Sequence, residues 1–270
     1  MKFRHLLLFV ILTIASRFLI ADEPATPLPR AHAHNDYLHP RPLLDALDHG
    51  FCSVEADIFL VSGQLLVAHE RRDVRPERTL ESMYLEPLRK RVLQNGGRVY
   101  PNGPTFWLLI DIKSDGPATY GVLKDLLAKY SDILTAFGDR VERKAVSVVI
   151  SGNRPRDLIA ADAVRYAGVD GRLTDLASTE SEDLLPWISD NWSLAFRWRG
   201  IGPFPEIERR KLHDIVARAH ERKRLVRFWA TPDVQTVWDE LLAADVDLIN
   251  TDYLAGLRSY LSKSPLRRNE

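Results

Sequence analysis

The chain has 270 residues, is 45% apolar and carries 37 basic against 37 acidic side chains, with eight histidines and one cysteine. That length and apolar content suffice for one substantial core and exclude a disordered chain. Balanced charge without a long basic run excludes a general nucleic-acid binder, whose affinity comes from many phosphate contacts, and Cys52 alone cannot form an intrachain disulfide.

In chain order, Lys2, Arg4 and His5 precede the apolar run Leu6-Leu7-Leu8-Phe9-Val10-Ile11-Leu12, and Ala15, Ser16 and Ala21 are small. Residues 1–21 therefore read as a secretory signal peptide, and the expectation is an exported protein, periplasmic or secreted. The run is short for a membrane span and Arg17 interrupts it, with an uncleaved anchor as the alternative. Without that segment 34 basic face 37 acidic side chains. A Pro-rich leader over residues 22–29 follows, then one domain over residues 30–262 and a tail over 263–270.

Within the domain, short apolar runs alternate with longer amphipathic segments, the pattern of a parallel sheet covered by helices. Strands are expected at 30–34, 52–59, 106–112, 145–151, 164–167, 193–198, 225–229 and 247–250. Helices are expected at 42–48, 80–94, 120–137, 154–161, 180–188, 206–221 and 232–243. The clearest is the last but one, where Leu212, Ile215, Val216 and Ala219 recur at helical spacing. Residues 60–68 read as a hairpin turning at Ser62-Gly63. Eight strands suit a closed (β/α)8 TIM barrel, in which chemistry gathers at the carboxyl ends of the strands.

The residues able to do chemistry fall at those ends. Glu55 and Asp57, two apart in an apolar run, share one face of a strand, and Asp111 ends the third strand. Buried carboxylates on one face repel unless a cation joins them. Oxygen ligands favour Mg²⁺, or Ca²⁺, over zinc. His34 and His69 are of the right type to divide general acid and base work. His32 would share the face of His34, which lies nearer the strand end and is the candidate of the two. His39, His49, His213 and His220 read as surface positions.

The ordered set His34-Asn35-Asp36-Tyr37, Glu55-Ala56-Asp57, His69, Asp111-Ile112-Lys113, Trp229-Ala230-Thr231 and Asp247-Leu248-Ile249-Asn250-Thr251-Asp252 resembles the PLC-like phosphodiesterase superfamily. That superfamily holds glycerophosphodiester phosphodiesterases and phospholipase D-like enzymes. The His34-Asn35-Asp36-Tyr37 start is similar to a branch that includes a fungal protein named for altered mitochondrial inheritance.

The resemblance implies a metal-dependent phosphoric diester hydrolase acting on a glycerophosphodiester or phospholipid-like substrate. It implies Glu55, Asp57 and Asp111 as metal ligands, with His34 and His69 as the catalytic pair in roles left open. Asn35, Lys113, Arg154 and Trp229 would contact substrate. A small-molecule or lipid partner is expected, with transient membrane contact compatible with it.

One departure bears on substrate. Glycerophosphodiesterases place arginine directly after the first histidine, and here that residue is Asn35; Arg71, Arg72 or Arg154 could supply the charge. Two other readings stand beside this one. One is a catalytically silent barrel binding a lipid headgroup or sugar. The other is a zinc amidohydrolase-like barrel using the His32-Ala33-His34 pair.

Overall fold

The computed structural model describes residues 25–263. The expected signal peptide and residues 264–270 of the expected tail lie outside the described residues. Among the described residues no helix is long and apolar enough to cross a membrane.

Eight parallel strands form the frame: β1 (Leu28–Ala33), β2 (Phe51–Val61), β3 (Phe106–Ile112), β4 (Val146–Gly152), β5 (Ala167–Gly171), β6 (Trp187–Asn191), β7 (Leu225–Trp229) and β8 (Leu248–Thr251). Each pairs with the next and β8 pairs back onto β1, so the sheet closes into a (β/α)8 barrel with no open edge. Outside run helices α1 (Leu44–Asp48), α2 (Glu86–Gln94), α3 (Gly116–Ala128), α4 (Arg156–Ala161), α5 (Trp192–Ala195), α6 (Glu206–His220), α7 (Gln235–Ala243) and α8 (Leu254–Lys263). A short antiparallel strand, Gln64–Val67, makes the expected hairpin with the end of β2.

Strands covered on both sides lose the apolar and polar alternation of a half-exposed sheet, which is why β2 is buried from Phe51 to Phe59. Its Val54, Ala56 and Ile58 join the large core under the helices. A separate cluster of Leu109, Val149, Trp187 and Leu248 comes from β3, β4, β6 and β8 and fills the barrel interior. Burying each such side chain contributes roughly 1.5–3 kcal/mol. Helix α6 buries the stripe Leu212, Ile215, Val216 and Ala219 and carries Glu206 and Glu208 in its first turn and Arg218 and His220 in its last, each complementing the helix dipole.

Several elements differ from expectation. The sixth strand is Trp187–Asn191, where a helix over 180–188 was expected, and the expected strand at 193–198 is a short helix and loop. Trp192, Phe196 and Trp198 alternate like a strand, but they are buried in an aromatic cluster beneath that loop. The fifth strand begins at Ala167, three residues later than expected at its start. Helix α3 ends at Ala128, and Ala136–Phe137 is a short strand instead. At the start, Leu28 and Pro29 belong to β1 and not to the leader. Pro29 has no N–H to give a ladder, and the β1–β2 register shifts between Leu28 and His32. Helix α8 was not expected.

Candidate active site

The loop after β1 starts the site. His34 follows the strand directly, and Asn35 adopts the left-handed conformation that asparagine tolerates, φ 48°, turning the chain into a short 3-10 turn. Asp36 is fully buried and accepts from the Leu43 N–H at 2.5 Å and the Tyr84 hydroxyl at 2.9 Å. Burial pushes its pKa up to about 7. Its role is to hold this loop.

On the next strands, register aligns Asp57 with Asp111 and Asp111 with Ser151. Ligand oxygens of Glu55, Asp57 and Asp111 lie within 4.8 Å of one another. Asp57 Oδ1 is buried without a hydrogen-bond partner among the described residues. Burial and the Glu55 charge push Asp57 up to about 6 against the pull of Lys113, and burial raises Asp111 too. Gly152 permits the approach, since a Cβ there would collide with Asp111 Oδ1.

Two cations serve these three acids. Lys113 Nζ lies 3.2 Å from both Asp57 Oδ2 and Asp111 Oδ1. Arg227, 3% exposed, lies 3.2 Å from Glu55 Oε2 and 2.5 Å from His32 Nε2. Burial alone would raise the Glu55 pKa, but Arg227 and His32 outweigh it and hold it low. One negative charge remains, so a divalent cation together with a singly charged diester would bring the cluster to neutrality. The donor set that converges among the described residues is three carboxylates, the oxygen ligands that Mg²⁺ or Ca²⁺ prefers, and these residues fit such an ion.

The histidines divide sharply. His32 is fully buried, with Nδ1 on Ser53 Oγ at 2.7 Å and Nε2 on Arg227, and burial then Arg227 lower its pKa to about 4. Both ring nitrogens are engaged, one by a guanidinium, which is incompatible with a zinc pair made with His34. His34 Nδ1 instead meets Asp252 Oδ1 at 2.8 Å, and its Nε2 lies 3.8 Å from Glu55. Burial disfavours the imidazolium, but the Asp252 bond and the Glu55 charge raise its pKa above the ordinary value. Asp252 is in turn braced by its N–H to Asp233 Oδ2 at 3.0 Å.

His69, exposed on the loop after the hairpin, is tied through Nδ1 to the Tyr37 hydroxyl at 2.9 Å and to Asp57 Oδ2 at 3.3 Å. Tyr37 also bonds Asp57 Oδ2 at 2.6 Å and Asn35 Oδ1 at 2.7 Å. Its hydroxyl thus joins both histidine loops to one carboxylate.

Among the described residues neither Arg154 nor Trp229 bonds to the three carboxylates. The Arg154 guanidinium, just past β4, bonds only the Gly152 carbonyl at 3.2 Å among the described residues. Burial, then the charge of Arg172, lowers its pKa. Trp229, ending β7, lies under Arg172 at 4.9 Å and Arg227 at 5.7 Å. Arg71 and Arg72 are exposed, and Arg72 pairs with Glu70.

Sequence reasoning assigned no role to Tyr37, Arg227 or Asp252. Arg227 carried a signal, being a charge flanked by Val226 and Phe228 inside a strand. Asp252 and Tyr37 lay within quoted motifs, but only folding brings them against His34 and His69. Removing the Asp252 carboxylate with Asp252→Ala should lower kcat by about ten- to a hundredfold with little change in KM, measured by steady-state kinetics.

A family model described as AIM6-like phosphodiesterase domain matches residues 23–169, and one for the glycerophosphoryl diester phosphodiesterase family matches residues 226–255. The protein named Altered inheritance of mitochondria protein 6 from Eremothecium gossypii is 31% identical, over 90% of this chain and 71% of that one. Among solved structures, a glycerophosphodiester phosphodiesterase from Parabacteroides distasonis superposes with a TM-score of 0.53 at 13% identity, covering 88% of this chain and 98% of that one. A phosphodiesterase from Oleispira antarctica in complex with the product sn-glycerol-3-phosphate gives 0.51 at 13% identity, covering 87% and 98%. These two likenesses establish a shared barrel fold. The length and identity of the sequence matches establish more: the chain belongs to the AIM6-like phosphodiesterase domain family.

Proposed function

We propose that the protein is a metal-dependent phosphoric diester hydrolase acting on a glycerophosphodiester or phospholipid-like substrate. One observation carries this: two buried carboxylates and a partly buried third converge between two imidazoles, each with its Nδ1 fixed by a neighbour. Each ring therefore keeps Nε2 for proton transfer. The fold shared with a glycerophosphodiester phosphodiesterase and with a phosphodiesterase bound to the product sn-glycerol-3-phosphate supports the substrate class.

Glu55, Asp57 and Asp111 would hold the cation, Mg²⁺ by ligand hardness. When bound, it would offset the diester's charge and draw electron density from phosphorus. His34 Nε2 takes the proton of the attacking hydroxyl, either water or a neighbouring hydroxyl of the substrate, while Asp252 holds the ring. His69, on the solvent side, gives a proton to the departing oxygen. Lys113 contacts a phosphate oxygen. Asn35 orients substrate, and Arg154 supplies the charge that a glycerophosphodiesterase carries at position 35. Trp229 walls the pocket. Export through residues 1–21 belongs to the same proposal.

Turnover of bis(p-nitrophenyl) phosphate with and without EDTA tests it. Activity should vanish with chelation and return with Mg²⁺. A folded protein inactive with every divalent ion would sink the hydrolase claim and leave a silent barrel, whereas activity indifferent to EDTA would remove the metal.

A further inference from the structure

Ten large apolar side chains are exposed among the described residues, and seven of them lie in the connections from β1, β6, β7 and β8 to α1, α6, α7 and α8 or in the first two residues of those helices, at the catalytic end of the barrel. They are Leu38 (65% exposed) and Leu44 (43%) after β1, Leu194 (81%), Ile201 (87%) and Ile207 (73%) after β6, Val234 (43%) after β7 and Tyr253 (61%) after β8. Strands β6, β7, β8 and β1 are consecutive around the barrel. The apolar side chains therefore line one continuous arc of the rim. Scattered exposed apolar residues need no explanation; a majority gathered on one arc beside the site does.

The loop after β6 supplies the prominent part and is firmly built. Trp192 packs on Phe196 at 4.2 Å, Trp198 stacks on Phe204 at 4.6 Å, and Trp192 Nε1 donates to the Trp198 carbonyl at 2.8 Å. Trp198 Nε1 donates to the Ile201 carbonyl at 3.1 Å, and the Arg197 and Trp198 N–H groups donate to Glu208 at 3.1 Å. With the aromatic side chains satisfied underneath, Leu194 and Ile201 add nothing to the core. Between them Arg197 and Arg199 are exposed, and neither pairs with a carboxylate among the described residues. Outward aliphatic tips interleaved with unpaired guanidinium groups match an interface of acyl chains below anionic headgroups.

We propose that this arc, led by Leu194, Arg197, Arg199 and Ile201, docks the catalytic mouth onto the surface of an anionic phospholipid bilayer. The choice of a lipid occupant rests on the phosphodiesterase reading above. Docking would bring the barrel mouth to the headgroup layer, where a phospholipid diester is presented, while a soluble diester reaches the carboxylates without it.

Cys52 is buried, so a new surface cysteine can be labelled alone. An environment-sensitive fluorophore on Ile201→Cys should brighten and shift to the blue with phosphatidylcholine vesicles containing phosphatidylserine, and the change should reverse at high salt. The same label on Leu93→Cys, exposed at the end of α2, should not respond. Combining Arg197→Gln with Arg199→Gln in the labelled protein should weaken vesicle affinity by about tenfold and leave bis(p-nitrophenyl) phosphate turnover unchanged. Silence at position 201, an equal response at position 93, or an equal response to pure phosphatidylcholine would overturn the proposal. So would a concentration-dependent shift without vesicles, which would assign the face to a second copy of the chain. The fluorescence readout does not depend on turnover, so failure to dock and failure to hydrolyse are separately visible.

Discussion

Asp57→Asn is expected to lower metal-dependent diester turnover by on the order of a thousandfold, yet to raise the melting temperature of the metal-free protein. The first effect follows because Asp57 belongs to the three-carboxylate cluster and also receives the Tyr37 hydroxyl that links the two histidine loops. The second follows from linkage. Asp57 titrates near 6 in the folded protein, above its unfolded value, because burial and Glu55 disfavour its charge. Such a group gives its full stability below the unfolded pKa and loses it as pH rises through the folded one. At pH 7 the ionised carboxylate therefore works against the fold, and the amide removes that penalty. The gain should be largest above pH 6 and close as pH falls toward about 4. Mg²⁺ should then stabilise the wild type by mass action and leave the variant's melting curve in place. Calorimetric scans across pH, with and without Mg²⁺, check both parts. A variant that melts earlier at pH 7 would contradict the electrostatic account.

Arg227→Leu carries the largest expected stability loss, about 3–5 kcal/mol, against a total that for a domain is roughly 5–15 kcal/mol. Arg227 and Glu55 are both buried, and Arg227 is the guanidinium that Glu55 and His32 face in the barrel interior. Leucine replaces the volume but leaves the Glu55 charge without its partner. Glu55 has a lowered pKa in the wild type because Arg227 and His32 prevail over burial. Its stabilising contribution is therefore present at neutral pH and lost as pH falls through the acid range. The gap between wild type and variant should narrow with acid, and Glu55→Gln added to Arg227→Leu should restore part of the loss. Urea unfolding of the wild type and the two variants measures this. Equal stability of Arg227→Leu and wild type at pH 7 would show that the pair is not coupled.

The barrel was legible because strands covered on both faces read as short apolar runs, and because amphipathic helices such as α6 separate them. Glu55 and Asp57 stood out for the same reason, as charges inside such a run. Two features were hidden. The strand Trp187–Asn191 follows Leu184, Leu185 and Pro186 at a spacing that imitates a helix, and the aromatic residues from Trp192 to Trp198 imitate the strand that belongs before them. Both patterns arise from packing that only the closed barrel creates. In the site, the carboxylates were visible one at a time, but Asp252 reaches His34 across 218 positions of sequence and Arg227 reaches Glu55 across 172. Local spacing carries no trace of those pairs. Tyr37 was likewise visible as a motif residue, while its place between Asn35, Asp57 and His69 depends on bringing together the loop after β1, strand β2 and the loop after the hairpin.

The most direct test of a metal-dependent mouth is anomalous diffraction from crystals soaked in Mn²⁺, whose oxygen ligation matches that of Mg²⁺. One peak should appear bounded by Glu55, Asp57 and Asp111. An absent peak in an enzyme that still turns over diester, or a peak held by His32 and His34, would contradict the account.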